Sequence, residues 1–279
     1  WSSDHREHHK NVDHVDDDPY SIARGFFWAH MGWIFFKLYP RPLANVADLK
    51  KDSLVMWQHK HHQIIGFLFG MVLPAVLGFL YNGWQGALGA FLLAGVTRLV
   101  CVQHCTFLIN SLCHTMGNRP YDSGTSARDS WLMAIFTFGE GYHNYHHSFQ
   151  HDYRNGVKPW QWDPTKWAIW TLSKLGLVTD LRRVPEEKIV LAELREMKHQ
   201  AETQIADSNE RKITCSTGQE AYDKLLHLSQ QLSDSYQELE NAISDRIKIT
   251  GEMISHWREI SSQVGVQLTR LRALQPALS

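Results

Sequence analysis

From Gln63 to Thr97 the chain carries no Asp, Glu, Lys or Arg, and Ile64 to Leu80 (IIGFLFGMVLPAVLGFL) is a 17-residue run without a polar side chain. A bilayer core of about 30 Å takes roughly 20 such residues as helix, so the pattern predicts a span over about 63–81, with Tyr81 at its interfacial end. Residues 82–86 (NGWQG) are turn-like, and a second span over about 86–109 crosses back. Pro74 is compatible with a spanning helix because neighbouring groups can satisfy the carbonyl it frees. A buried hairpin in a water-soluble fold is the competing reading. It is disfavoured, since soluble helices average about 11–12 residues and seldom run so far without a charge. Arg98 falls inside the second span, where a charge is costly. It faces a bundle interior, pairs with a carboxylate of another helix, or marks a helix end near the interface.

Elsewhere the pattern changes period. Phe26–Phe36 (FFWAHMGWIFF) is aromatic but too short to span, and predicts a segment lying at the membrane interface. Residues 186–275 have no Pro and place apolar side chains at Val190, Leu194, Met197, Ala201 and Ile205, then at Ala221, Leu225, Leu228, Leu232, Leu239, Ile243 and Ile247. Steps of three and four predict amphipathic helices with a break near Thr214–Gly218, and the pattern extends past Gly251 to Ile254, Trp257, Val264 and Leu268. The expected fold class is all-α. It comprises a membrane domain over 1–184, with a transmembrane hairpin and a cytoplasmic histidine-rich helical cap, and a helical hairpin or coiled-coil-like tail over 185–279. Intramolecular packing or self-association is the expected use of the tail, with no catalytic role.

Two crossings leave the segments before Gln63 and after Ile109 on one side of the membrane. Lys37, Arg41, Lys50, Lys51 and Lys60 precede the hairpin, and Arg119, Arg128, Arg154 and Lys158 follow it. The positive-inside bias makes that side cytoplasmic. Overall charge is nearly balanced, with 28 Lys+Arg against 29 Asp+Glu, which gives no basic field for holding nucleic acid. Four Cys, none in a C-x-x-C pair, exclude a disulfide scaffold or a cysteine-rich zinc module. The chain opens on Trp1-Ser2-Ser3 without a Met or a leader, and is expected to begin inside a domain.

Histidine is the departure from an ordinary composition: 14 of 17 lie in residues 1–151. His5, His8 and His9 form an H-x-x-H-H pattern, and His143, His146 and His147 repeat it. On a helix, offsets of three and four crowd all three imidazoles onto one face. Such a face suits a transition metal, since imidazole binds Zn, Cu, Ni and Fe alike and no hard oxygen ligand accompanies it. Asn110 and His114, one turn apart at the cytoplasmic end of the second span, add a third element. Seven histidines exceed the four that one tetrahedral ion takes, so two ions or several bystanders follow. His59, His61 and His62 abut the first span and read as interfacial, while His30 and His104 read as packed or hydrogen-bonded. Asp13, Asp16, Asp17, Asp18 and Glu140 are candidate acceptors for the outer nitrogens of the ligating rings.

The strings DHREHHK (Asp4–Lys10), GFFWAHMGW (Gly25–Trp33), NSLCH with NRPYD (Asn110–His114, Asn118–Asp122) and FGEGYHNYHHSF (Phe138–Phe149) resemble the membrane fatty acyl desaturases, Δ9 acyl-CoA (stearoyl-CoA) type. The resemblance covers about residues 1–184. It implies an oxidoreductase with a di-iron centre that uses dioxygen and two electrons to place a cis double bond in a saturated fatty acyl-CoA. An unactivated C–H bond resists side-chain acids and bases, which accords with redox-metal chemistry. By resemblance, His5, His8, His9, His114, His143, His146 and His147 are iron ligands, and Asn110 contacts the centre through water. Asp4 and Lys37 contact the CoA nucleotide, and Phe107 stands where animal members place a Trp along the acyl tunnel.

The family's first box, H-x-x-x-x-H, would precede Trp1 together with two transmembrane helices. Seven of nine ligand histidines are therefore present, and the chain by itself is expected to be inactive. No H-P-G-G signature of a fused cytochrome b5 occurs, so a separate ferredoxin, rubredoxin or cytochrome b5-type protein would supply electrons. The expected setting is an integral membrane protein among lipid, in a bacterial inner membrane, with no nucleic-acid partner. Alternatives are an acyl-lipid desaturase or hydroxylase on the same scaffold, and a non-catalytic membrane protein that binds metal or a partner.

Overall fold

The computed structural model describes residues 1–36, 43–211 and 216–274. Among these residues the regular structure is helical; the nearest approach to a sheet is an isolated bridge between Asp129 and Tyr142. The chain divides into two compact units, one of Trp1–Gly117, Thr125–His143 and Lys158–Pro164, the other of Asn118–Gly124, Asn144–Val157 and Thr165–Ser279.

The first unit contains the predicted hairpin. Asp52 caps the helix Ser53–Phe67, its carboxylate accepting the backbone N–H groups of Leu54 at 2.9 Å and Val55 at 3.2 Å. Helical structure continues through a π-helical turn at Leu68–Val72 into Leu73–Ala90, and reverses inside that segment at Asn82 and Gly83. Gly83 sits at φ 54°, a left-handed conformation that favours glycine. Beside the turn a side chain on Gly78 would strike the carbonyl of Gly86, so two glycines let the arms touch backbone to backbone. The return arm runs through Phe91–Thr97 and Arg98–Ser111 to a short turn at Leu112–His114.

By length and composition the stretch Ser53–His114 is apolar enough to cross a membrane. Large apolar side chains of its charge-free part face outward: Phe69 is 68% exposed, Leu80 75% and Leu93 70%, a surface that lipid would solvate. Pro74 has no N–H for the carbonyl of Gly70, four residues earlier. Arg98 answers this, donating Nη2 to Gly70 O at 3.4 Å and Nε to Ala94 O at 2.8 Å. Arg98 stays exposed and bonds across the hairpin to the carbonyl of the facing arm.

The first helix, Ser2–Lys10, is tied to the turn Leu43–Val46 and the segment after it. Asn45 donates to Ser3 O and Glu7 Oε1, both at 2.9 Å, and Arg6 forks onto both carboxylate oxygens of Asp48 at 2.8 Å. The aromatic segment forms the short helical turns Trp28–Gly32 and Trp33–Phe36, with Phe27, Phe35 and Phe36 exposed and the Arg24 guanidinium over the Trp28 ring at 4.6 Å.

In the second unit the tail forms three helices, Glu186–Arg211, Ser216–Ser244 and Gly251–Leu274. Their apolar stripes share one core, in which Val190, Leu194, Leu225, Leu232, Leu239 and Val264 are fully buried. Trp257 is buried there too, with Nε1 donating to Glu238 at 3.3 Å. The predicted break falls between the first two helices, and Gly218 lies within the second. A third helix after Gly251 completes the bundle, so the stripes are covered without a second copy of the chain.

Candidate metal centre

Every residue of the two H-x-x-H-H patterns is helical. His5, His8 and His9 lie on Ser2–Lys10, and His143, His146 and His147 on the short helix His143–Ser148. Glycine shapes the approach to the second pattern. Gly139 has φ 108° with the Asp163 carboxylate packed on it, and a side chain at Gly141 would run into the backbone of Met133 and Ala134. The G-E-G that precedes Tyr142-His143 is thus required by backbone packing.

Within the first unit three imidazoles form a buried cluster. His8, His114 and His143 are 1%, 4% and 1% exposed, and their ligand nitrogens lie within 4.8 Å of one another. The His8 and His114 ring centroids are 5.2 Å apart, and His114 and His143 approach to 4.9 Å with Nε2 facing Nε2 at 3.1 Å.

Two of these rings are held from behind. His8 Nδ1 lies 2.8 Å from Asp18 Oδ1, and Asp18 also accepts the N–H groups of Asp13 and Tyr20. A carboxylate only accepts, so Asp18 takes the Nδ1 proton of His8, and in the neutral ring that leaves the lone pair on Nε2. His114 Nδ1 lies 2.7 Å from Ser126 Oγ, and that hydroxyl gives its one proton to Asp13 Oδ1, with Ser126 N also donating to Asp13 at 2.8 Å. Ser126 therefore accepts from His114 Nδ1, which again reserves Nε2 as a lone pair. Lone pairs crowded together in a buried place are what a cation requires, and hydrogen bonds from the far nitrogens fix ligating imidazoles in this way. The donor set fits a transition metal.

His5 and His9 form a second, half-buried pair, their Nε2 atoms 3.2 Å apart and their rings edge to face at 82°. His146 is half-buried and His147 buried at 8%, one helical turn beyond His143 on the same helix.

That helix is pinned by its non-histidine residues. Asn144 is fully buried; its Oδ1 accepts Tyr121 N at 2.9 Å and Asp122 N at 3.3 Å, and its Nδ2 donates to Asp122 O at 2.7 Å. Tyr145, 1% exposed, donates its hydroxyl to Asp152 at 2.8 Å. Asp152 also receives Arg154 Nη2 at 2.6 Å and Val184 N at 2.8 Å. Burial alone would raise the Asp152 pKa, but the Arg154 guanidinium and the backbone donors outweigh it and hold the carboxyl below its ordinary range. Burial, then the Asp152 charge, pushes the Tyr145 phenol well up, so it remains a neutral donor.

The remaining expected residues sort as follows. Asn110 is half-buried in the last turn of Arg98–Ser111, four residues before His114. Asp4 is half-buried on the first helix. Phe107 stands edge-on to Trp33 at 6.3 Å and to His30 at 5.7 Å. Lys37 lies outside the described residues. His30 is hydrogen-bonded on both nitrogens, to Ser111 Oγ and His104 Nδ1 at 3.0 Å each, as expected of a packed histidine. His59 and His62 are exposed and His61 is half-buried, all on the helix that enters the first span. Of the acidic candidates, Asp13 and Asp18 reach imidazoles, whereas Asp16 pairs with Arg24 at 3.3 Å and Asp17 and Glu140 are exposed. Ser126, Asn144, Tyr145 and Asp152 had no signal in spacing. Only the chain's fold brings Ser126 between Asp13 and His114.

An all-α fold with a long apolar hairpin and a buried polyhistidine cluster has the features of a membrane protein with a metal site. The family model described as fatty acid desaturase matches residues 1–174. The chain is 42% identical over 192 residues to a probable acyl-CoA desaturase of Schizosaccharomyces pombe, covering 68% of this chain and 39% of that protein. It is 40% identical over 192 residues to acyl-CoA desaturase 1 of Saccharomyces cerevisiae, covering 68% and 37%, and 36% identical over 194 residues to stearoyl-CoA desaturase 5 of Bos taurus, covering 68% and 57%. The chain belongs to the fatty acid desaturase family, and spans roughly two-fifths to three-fifths of the length of these relatives.

Proposed function

We propose that the protein carrying this chain is a Δ9-type acyl-CoA desaturase. It converts a saturated acyl-CoA, dioxygen, two electrons and two protons into the cis-unsaturated acyl-CoA and two waters. The observation that carries this reading is the buried His8, His114 and His143 cluster, with the His8 and His114 rings fixed through Nδ1 and their Nε2 atoms reserved for a cation. The names of the relatives supply the substrate class. His5, His9, His146 and His147 belong to the same ligand set by the repeated spacing, with Asn110 acting through water. Iron bound by these residues would supply the oxidising power to break unactivated C–H bonds.

The chain's own residues set the conditions for that chemistry. Asp18, and Asp13 through Ser126, keep the protons of His8 and His114 on Nδ1 and orient the rings. Asn144 and Tyr145 fix the helix that carries the second pattern. Phe107, with Trp33 beside it, offers an apolar wall for an acyl chain. Asp4 and Lys37 contact the CoA nucleotide. Electrons arrive from a separate ferredoxin, rubredoxin or cytochrome b5-type protein. The basic residues flanking the hairpin support a cytoplasmic histidine side by the positive-inside bias. The relatives compared are from yeasts and an animal, which lends no support to a bacterial membrane.

Expression of the complete gene in desaturase-deficient cells supplied with a competent electron donor tests the proposal. Mass spectrometry should find monounsaturated chains with the double bond at Δ9. Hydroxylated chains would indicate the sister activity, and an unchanged lipid profile would contradict desaturation.

A further inference from the structure

The tail's first helix reaches the segment that holds the histidine helix. Glu196, on Glu186–Arg211, is 5% exposed, and its Oε2 accepts the backbone N–H of Ser123 at 2.9 Å. Its other oxygen is oriented by Gln200 Nε2 at 2.7 Å, one turn along the same helix. Ser123 follows Tyr121 and Asp122, whose N–H groups converge on Asn144 Oδ1, and Asn144 returns Nδ2 to Asp122 O. The far side of the turn is closed by Arg119 Nη1, which donates to Ser123 O at 2.8 Å, and by Gly124 N, which donates to Asp122 Oδ1 at 2.7 Å. Asn144 is the residue after His143 and precedes His146 and His147 on one helix. Hydrogen bonds joined by the Asp122–Ser123 peptide thus run from the tail to Asn144, on the helix of His146 and His147, within one compact unit.

The tail end of this path is well packed. Leu194 and Ala201 flank Glu196 on the same helix and are fully buried in the three-helix core. Glu196 is a charged acceptor in a place where charge is seldom buried without a partner, and its partner is the turn. An apolar residue would satisfy the bundle and leave the Ser123 N–H without this acceptor.

We infer that Glu196 is a positioning residue for the histidine helix, and that the C-terminal bundle acts through it to hold His146 and His147 in place. The inference rests on the proposed function for the identity of the metal, but not for the coupling itself. Ser123 N–H and Asn144 transmit the position of the bundle to His146 and His147. The tail is therefore more than a packed appendage.

The test uses the complete protein in lipid nanodiscs and compares wild type with Glu196→Ala, Glu196→Gln and the exposed control Glu202→Ala. Hydrogen exchange is followed in peptides covering 118–124 and 143–148, together with the rate at which a chelator removes bound iron. Glu196→Ala should exchange about tenfold faster in both peptides and lose iron faster, as expected for loss of a charge-assisted hydrogen bond. Glu196→Gln keeps an oxygen acceptor and should restore both readouts, with Glu202→Ala matching wild type. Should Glu196→Ala fail to accumulate, Glu196→Asp, which keeps the charge but withdraws it by one carbon, should show the same acceleration. Unchanged exchange at 143–148, or failure of Gln to rescue, overturns the inference. A wild type that holds no iron contradicts the desaturase reading alone, since the exchange comparison still decides the role of Glu196.

Discussion

The chain buries two kinds of interior. In the tail, Leu194, Leu225, Leu232 and Val264 are covered by other apolar side chains, and burial itself is the stabilising force. Around His8, His114 and His143 the buried groups are imidazoles with Asp18, Ser126 and Asp13 behind them, and their burial costs free energy unless each nitrogen is satisfied. An apolar core is complete in itself. A core of clustered imidazoles, held from behind by carboxylates and a hydroxyl, has the donor chemistry that a cation uses, so the first interior is architecture and the second a candidate site.

Removing a member of each interior should separate them most sharply. His143→Ala should abolish iron binding and desaturation while the tail's hydrogen exchange stays as in wild type. Retained iron would remove His143 from the ligand set. Leu232→Ala, in the other interior, should destabilise the bundle by about 2–5 kcal/mol, seen as faster exchange across Ser216–Ser244.

Asp152→Asn lies between these extremes, because Asp152 holds Tyr145 of the histidine helix through a buried ion pair with Arg154. It should cost roughly 1–3 kcal/mol of local stability. The native carboxyl is held below its ordinary range, so its contribution is complete above the unfolded pKa of about 3.9 and fades as pH falls through the lower native value. Protection at 143–148, taken relative to the intrinsic exchange rate at each pH, should therefore fall in acid in wild type, and the Asn variant should lack that Asp152-dependent part. The smallest effect belongs to Arg258, which bridges Glu186 at 2.8 Å and Glu193 at 3.4 Å on the bundle's half-exposed surface. Arg258→Ala should cost at most about 1 kcal/mol, weakening further with salt.

The two interiors were unequally legible in the sequence. The hairpin could be read because a bilayer demands a long charge-free stretch, and Gln63–Thr97 has one. The tail could be read because leucines at steps of three and four define a helix face, although the close of its core by a third helix around Trp257 was visible only as a continuation of the pattern. The histidines were visible by type and spacing. Their tethers were not, because Asp13 to Ser126 spans 113 residues and Ser123 to Glu196 spans 73, and such contacts exist only after folding. Arg98 shows the same limit: its position in a span looked anomalous until Pro74 and the carbonyl of Gly70 stood beside it.

If the histidine interior is an iron site, the metal content of the complete protein purified under mild conditions will show it. About two irons per chain, with zinc at trace level and iron lost in His143→Ala, is the predicted result. Stoichiometric zinc without iron, or no metal in a folded protein, would contradict it.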